Sequence, residues 1–153
     1  MRKRFVILSM LLLVSWPPQG RADPAIAETE LLSFGEFAVT TNTVQTIVIE
    51  TDGDQTVDAG ITQLLPGRNG AFHLTSFDPS IAVSASIADT VMTGPGGATF
   101  DVTNFIFDPP LPSQTTDGSG NLTINIGATL STRAGVTYGD GPYRGTYTML
   151  VNY

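Results

Sequence analysis

The chain has 153 residues, a formal net charge of −7 and no cysteine. This length suits one domain with a single core, and the missing cysteines exclude disulfides and cysteine-based zinc sites. The acidic balance argues against partners that carry phosphate, such as nucleic acids and anionic membranes.

The first 22 residues have the features of a secretory signal peptide. A basic start at Arg2-Lys3-Arg4 precedes an apolar stretch from Phe5 to Trp16 and the pair Pro17-Pro18. We expect cleavage after Ala22, with cleavage after Ala27 as the alternative. A run of about a dozen apolar residues is too short to span a bilayer, which needs about 20. We therefore predict an exported domain over residues 23–153, located in the periplasm, at the cell surface or outside the cell, with no membrane attachment.

Removal of residues 1–22 makes the chain strongly acidic. Only three basic residues remain, all of them arginines, against all 14 acidic residues, and 3 minus 14 gives a net charge of −11. The remaining arginines are Arg68, Arg133 and Arg144.

The first half of the domain alternates between apolar and polar residues at period two. Leu31 to Thr40 predicts a strand with a bulge near Gly35. Asp52-Gly53 predicts a hairpin with a type I′ turn, and Pro66-Gly67 with Asn69-Gly70 predicts the next reversal. The apolar positions of the strands around these turns are Ile47, Ile49, Val57, Ala59, Ile61, Phe72 and Leu74.

The second half continues this pattern. Ile81 to Ile87 alternates cleanly and predicts a strand with one face in water. After a turn at residues 94–97, the apolar phase slips between residues 100–102 and residues 105–107, which predicts a bulge near Asn104. Residues 108–120 predict a loop or a crossing between sheets, and residues 122–130 predict another strand.

The C-terminal residues predict a strand whose one face is apolar. That face carries Tyr147, Met149, Val151 and Tyr153. A strand with nothing after it has no following segment to cover its edge, and open edges are either protected or used for pairing with another chain. We therefore predict that these four residues bind a partner. The alternative is an ordinary strand of a complete sandwich.

Short strands, frequent turns and the lack of a helical pattern predict an all-β fold. We expect an Ig-like or jelly-roll antiparallel β-sandwich of seven to nine short strands, with a closed barrel as the structural alternative.

Six segments also resemble a known family in their order and spacing. They are residues 32–37, 52–53, 59–61, 96–105, 121–130 and 145–153. Together they resemble the bacterial domain of unknown function 4402 family, which is similar to spore coat protein U-like pilins of chaperone–usher systems. The resemblance implies a pilin-like sandwich and a role as a secreted fimbrial or surface subunit.

The resemblance also implies partners. Chaperone–usher pilins lack their last strand, and the N-terminal extension of a neighbouring subunit fills the groove. The partners implied are a periplasmic fimbrial chaperone and sibling subunits. Between Ala22 and Leu31, however, only residues 24–27 are apolar, whereas a donor strand needs several large residues. A capping subunit, a self-complete monomer and a pilin with a short donor strand all remain open.

We predict that the protein is not an enzyme and has no cofactor. His73 is the only histidine, and alternation turns it away from the apolar face of its strand. Ser119 in the polar loop has no adjacent base. Asp52, Asp54 and Asp58 offer the oxygen ligands that Ca²⁺ prefers but lack EF-hand spacing. A hairpin with solvated aspartates is the simpler interpretation.

Two classes of function follow from these observations. The first is an exported assembly subunit that pairs through its terminal strands. The second is a monomeric extracellular module that binds carbohydrate or another ligand, which needs a cluster of exposed aromatic side chains. The only tryptophan is Trp16, so Tyr138 and Tyr143 are the only candidates for a sugar platform. Packing at strand ends explains both tyrosines more simply.

Overall fold

The structure is a computed structural model that describes residues 23–112 and 114–153. The predicted signal peptide and its cleavage after Ala22 lie outside the described residues at 1–22, and Ser113 is also outside them. The alternative cleavage position, after Ala27, falls within the first strand. The strands of the described part are β1 (Ala25–Glu30), β2 (Glu36–Val39), β3 (Thr46–Ile49), β4 (Gln55–Val57), β5 (Ile61–Leu65), β6 (Gly70–Thr75), β7 (Ser84–Ile87), β8 (Thr90–Thr93), β9 (Thr99–Asp108), β10 (Leu122–Ser131) and β11 (Met149–Asn152).

The all-β prediction is confirmed, because these eleven strands pair only in antiparallel fashion. Eleven strands exceed the expected seven to nine. β1 and β8 lie where alternation predicts no strand.

One layer of the sandwich is a seven-stranded sheet centred on β10. β10 pairs with β9 along one edge, while its other edge pairs first with β6 and then with β3. β1, β4 and β8 extend this sheet beyond β6, β3 and β9. Gly127 lies where β10 changes partner, and a Cβ there would approach the carbonyl oxygen of Ile49 to 2.2 Å. The change of partner therefore requires a glycine.

The second layer consists of two separate two-stranded sheets, β2–β5 and β7–β11. β2 and β5 pack over one core cluster, which includes Phe100 and Leu130. β7 and β11 pack over the other cluster, which includes Leu74 and Ile124, and Leu32 contacts both clusters. Each fully buried side chain of this kind contributes roughly 1.5–3 kcal/mol of hydrophobic stabilisation.

The structure contains the predicted hairpin and a register shift near each predicted bulge. The bulge near Asn104 is confirmed, because Asn104 has a φ of 51° and the β9–β10 register shifts there. In β2, the strand of the predicted segment Leu31 to Thr40, the register shifts between Glu36 and Phe37, beside the bulge predicted near Gly35, and β2 is only four residues long. The hairpin at Asp52-Gly53 is also confirmed.

The turn type in this hairpin differs from the prediction. A type I′ turn needs a positive φ at both central residues, but of this dipeptide only Gly53 has one, at 90°. The amide of Gly53 donates to the carbonyl of Glu50 at 3.1 Å, and the amide of Glu50 donates to the carbonyl of Asp54 at 2.8 Å. The loop is therefore a turn over residues 50–53 that ends on a left-handed glycine.

The segment after β9, which the sequence predicts as a loop or a crossing between sheets, covers one edge of β7. Gln114 is fully buried, and its side-chain oxygen accepts a hydrogen bond from the amide of Ala85 at 3.1 Å. The amide of Val83 donates to the carbonyl of Gln114 at 2.9 Å. The predicted wet face of this strand is confirmed, since Ser84 and Ser86 are exposed. No helix in the described ranges is long and apolar enough to cross a membrane.

Candidate functional site

A groove of about 1420 Å³ divides the second layer between β2 and residues 136–147, the segment that leads into β11. Phe100 and Leu130 reach it from the opposite sheet, and Met92 of β8 also lines it. Phe100 is 2% exposed and Leu130 is 0% exposed, so the groove lies directly over a buried core cluster.

Side-chain hydrogen bonds lie near both ends of residues 136–147, one to the loop after β2 and the other to β1. At one end the amide of Gly135 donates to the side-chain oxygen of Asn42 at 2.9 Å. At the other end the hydroxyl of Tyr147 donates to the carboxylate of Glu28. Between these ends, the described structure has no backbone hydrogen bond that joins β2 to residues 136–147.

β2 has an open edge that faces this gap. Among the described strands it pairs only with β5, and the amide of Thr40 donates to the carbonyl of Gly60 at 2.9 Å. Along a strand of an antiparallel pair, the backbone N–H and C=O groups of successive residues point alternately toward the partner strand and toward the opposite edge. The backbone groups of Phe37 and Val39 therefore point away from β5 and toward the groove.

The structure places Met149 and Val151, two of the four residues predicted to bind a partner, on β11. Met149 and Val151 are half-buried against the chain's own core, while Leu150 between them is 62% exposed. Tyr153 is 71% exposed, although its ring contacts Phe77 edge-on at 4.7 Å. β11 pairs with β7, and its second edge has no strand partner within the described ranges.

Tyr147, the fourth residue of the predicted face, joins the core to the groove. Its ring contacts Phe72 at 6.2 Å and Phe105 at 5.8 Å. Burial, together with the hydrogen bond to the carboxylate of Glu28, raises the pKa of Tyr147 well above its usual range.

Tyr138 and Tyr143 form part of the groove wall. The ring of Tyr138 stacks on Phe100 at 4.2 Å, and the ring of Tyr143 meets Phe100 edge-on at 4.7 Å. The hydroxyl of Tyr143 donates to the carbonyl of Gly139 at 3.1 Å. The hydroxyl of Tyr138 accepts from the amide of Arg133 at 2.7 Å. Both rings are half-buried packing groups rather than an exposed platform.

A family model described as Domain of unknown function (DUF4402) matches residues 25–153, almost all of the described chain. The chain belongs to the DUF4402 family. A search of curated proteins and a search of solved structures each found no match.

The groove of this DUF4402 domain contains two of its three arginines, Arg68 and Arg144. Two backbone hydrogen bonds to Ser33 hold Arg68 in place, and two to Thr93 hold Arg144. Within the described ranges, neither guanidinium forms an ion pair. Two carboxylates, those of Glu36 and Asp140, also line the groove.

The third arginine is paired outside the groove lining. Arg133 forms a two-pronged hydrogen bond with the carboxylate of Asp101, with its Nε at 2.9 Å from Oδ2. This hydrogen bond holds the pKa of Asp101 below its usual range.

The DUF4402 domain does not bring the three candidate calcium ligands together. Asp58 accepts hydrogen bonds from the amide and the hydroxyl of Thr46 at 2.8 and 2.9 Å. Asp52 accepts one from the amide of Asp54 at 3.0 Å, as expected of a turn aspartate. The described residues contain no group of three or more His, Cys, Asp or Glu side chains that could hold a metal ion.

His73 lies on β6, half-buried, beside a smaller cavity that Asp117 also lines. The backbone amides of Asn121 and Ser119 donate to the carboxylate of Asp117 at 2.9 and 2.8 Å. These bonds lower the pKa of Asp117. They tie this carboxylate to its own turn.

Of the four residues that the sequence pattern predicts to bind a partner, only Tyr147 lines the groove, and the sequence pattern did not predict β2 as its opposite flank. One signal was present, because the apolar residues change parity from Leu32 and Phe34 to Phe37 and Val39. That shift marks the entry into a second, separate sheet.

Proposed function

We propose that this DUF4402 protein is an exported structural subunit that binds a strand of another polypeptide in its groove. A fimbrial or other surface assembly, built with the help of a periplasmic chaperone, is the setting that this function implies. The observation that carries the proposal is the groove itself, where β2 and residues 136–147 flank an apolar core without pairing to each other.

The physical reason is the cost of an open sheet edge. The backbone groups of Phe37 and Val39 have no strand partner on the groove side among the described residues, and a bound strand would supply that partner. It would also cover the half-buried side chains of Phe37, Val39 and Met92. Each Å² of apolar surface covered in this way contributes roughly 25 cal/mol.

The arrangement of the aromatic side chains favours this function over carbohydrate binding. One face of Tyr138 is stacked on Phe100, and both groove tyrosines have hydrogen-bonded hydroxyls. A sugar platform needs exposed ring faces.

Hydrogen exchange of the exported protein tests the proposal. Monomeric and assembled fractions are separated by size-exclusion chromatography from cells with and without a co-expressed fimbrial chaperone. We expect peptides from residues 36–41 and 136–147 to exchange more slowly in the assembled fraction. Peptides from β10 should exchange equally in both. The proposal is wrong if the groove flanks exchange equally in both fractions, or if the protein is monomeric in all conditions.

Single cysteine variants give an independent measurement, because the chain has no cysteine of its own. Thr137 is exposed and lines the groove, whereas Thr62 is exposed on β5 and does not line it. We expect alkylation of the Thr137→Cys variant to be slower in assemblies than in monomers. The Thr62→Cys variant is the control and should react at the same rate in both. Equal rates for Thr137→Cys would contradict groove occupancy.

A further inference from the structure

Two sulfur atoms remain in the chain after residue 22, and both are thioethers. The chain has no cysteine, and two of its four methionines, Met1 and Met10, lie in the predicted signal peptide. The other two are Met92 on β8 and Met149 on β11. Thiols and thioethers are the side-chain groups that peroxides oxidise reversibly. These two methionines are therefore the candidates for reversible oxidation in the predicted exported chain.

Met92 lines the groove, whereas Met149 does not. Met92 is half-buried and packs against the core cluster that contains Phe100. Met149 is also half-buried, but it packs against the other cluster and lines neither the groove nor the smaller cavity beside His73. The groove, at about 1420 Å³, has room for many molecules of the size of water. Since oxidation of a sulfur follows its exposure, hydrogen peroxide should reach Met92 first.

Met92 lies where the floor of the groove meets its C-terminal flank. In the β8–β9 pair it stands directly opposite Phe100. The next residue, Thr93, exchanges two backbone hydrogen bonds with Arg144 of the flank, at 2.8 and 3.0 Å. A Cβ on Gly145 would lie 3.1 Å from the Cγ of Met92, so the flank passes close to this side chain. A group added to Met92 therefore changes both the floor and the flank.

We propose that Met92 is an oxidation site that controls occupancy of the groove: its sulfoxide prevents a strand from binding, and reduction restores binding. This inference rests on the proposed function, because it concerns the regulation of the same groove. In the reaction, a lone pair of the thioether sulfur attacks one oxygen of hydrogen peroxide. The S–O bond forms as the O–O bond breaks, and the leaving hydroxide takes the proton of the transferred oxygen and becomes water. The sulfur gives up two electrons, which reduce the peroxide.

The physical reason is the polarity of the product. Oxidation converts a flexible apolar side chain into a polar one. In the empty groove water solvates the new oxygen, but a bound strand removes that water. A polar group that is covered without a hydrogen-bond partner weakens binding by at least about tenfold. The oxygen also adds an atom at a place where even a Cβ on Gly145 would be crowded.

Peptide mass spectrometry measures the selectivity of the oxidation. The folded monomer of the exported chain is treated with dilute hydrogen peroxide, and the gain of one oxygen atom is followed at Met92 and at Met149. We expect Met92 to be oxidised at least about threefold faster, because it lines the groove. Equal rates, or a faster rate at Met149, would overturn the inference.

Two matched leucine variants measure the effect on assembly. Met92→Leu and Met149→Leu each replace a thioether with a side chain of similar volume that peroxide does not oxidise, so both should assemble like the wild type. After peroxide treatment, the wild type and Met149→Leu should assemble at least about tenfold more weakly in analytical ultracentrifugation, while Met92→Leu should be unaffected. Methionine sulfoxide reductases of both stereospecificities should restore the assembly of the oxidised wild type.

A third variant gives the same measurement without peroxide. Met92→Gln places a permanent polar group in the groove, and it should assemble as weakly as the oxidised wild type. Far-UV circular dichroism of every variant, and of the wild type before and after oxidation, establishes that the chains are folded.

The outcomes separate this inference from the proposed function. The inference is wrong if the oxidised wild type or Met92→Gln assembles like the untreated wild type, if peroxide weakens the assembly of Met92→Leu equally, or if oxidation acts by unfolding the chain. The groove function then still stands, provided that the Thr137→Cys site is shielded in the untreated assembly. If that site is not shielded, the proposed function itself fails, and the regulation with it.

Discussion

Replacing Phe100 with alanine tests whether the groove floor is part of the folding core. Phe100 is 2% exposed and its ring contacts those of Phe37, Tyr138 and Tyr143 at 5.5, 4.2 and 4.7 Å. A buried Phe→Ala change lowers the free energy of unfolding by about 3–5 kcal/mol. Three aromatic contacts, each worth about 0.5–1.5 kcal/mol, place Phe100→Ala at the upper end of that range. Domains have stabilities of about 5–15 kcal/mol, so the variant still folds at 25 °C where the wild-type stability exceeds this loss.

Urea unfolding followed by far-UV circular dichroism measures this loss. The denaturation midpoint should fall while its dependence on urea stays the same, since the variant exposes a similar surface on unfolding. Phe107→Ala is the matched control, because Phe107 is a half-buried phenylalanine of the same strand that packs against the other core cluster. We expect it to cost clearly less. A loss below about 1.5 kcal/mol for Phe100→Ala, or equal losses for both variants, would refute the reasoning.

Three further predictions concern other parts of the molecule. Gly120 has a φ of 79°, and a Cβ there would lie 2.0 Å from a backbone oxygen. Gly120→Ala should therefore lower the free energy of unfolding by more than about 2 kcal/mol. Gly118→Ala is the control and should be near neutral in thermal unfolding, because no atom lies within 4 Å of a Cβ at that position. The pKa of Tyr147 is raised in the folded state, so above about pH 10 the unfolded chain loses this proton first and the free energy of unfolding should decline. Tyr147→Phe should remove a late step in the ultraviolet titration. The lowered pKa of Asp101 stabilises the folded state above about pH 4, and this stabilisation is lost as the pH falls through the folded-state pKa. In an NMR titration, the pKa of Asp101 should return toward its usual value in the Arg133→Gln variant.

Local chemistry determined the class of fold and several of its details. Alternation over residues 81–87 predicted a strand with one wet face, because side chains on a strand point to opposite sides. The parity change after Val102 predicted the bulge at Asn104, since an extra residue is what returns both apolar pairs to the core. Asp52-Gly53 predicted the hairpin but not its turn type, which depends on how many residues the flanking strands leave for the loop.

Only the tertiary structure decided which strand edges are paired and which are open. β1 has no apolar alternation, so nothing in residues 25–30 marks it as a strand, and it forms because the edge of β6 is available. The groove arises in the same way, from the separation of β2 and β11 into different small sheets. Strand pairing uses backbone N–H and C=O groups, which are the same in nearly every residue. A sequence therefore shows which face of a strand is apolar, while its edge partners depend on which distant segments the fold brings alongside it.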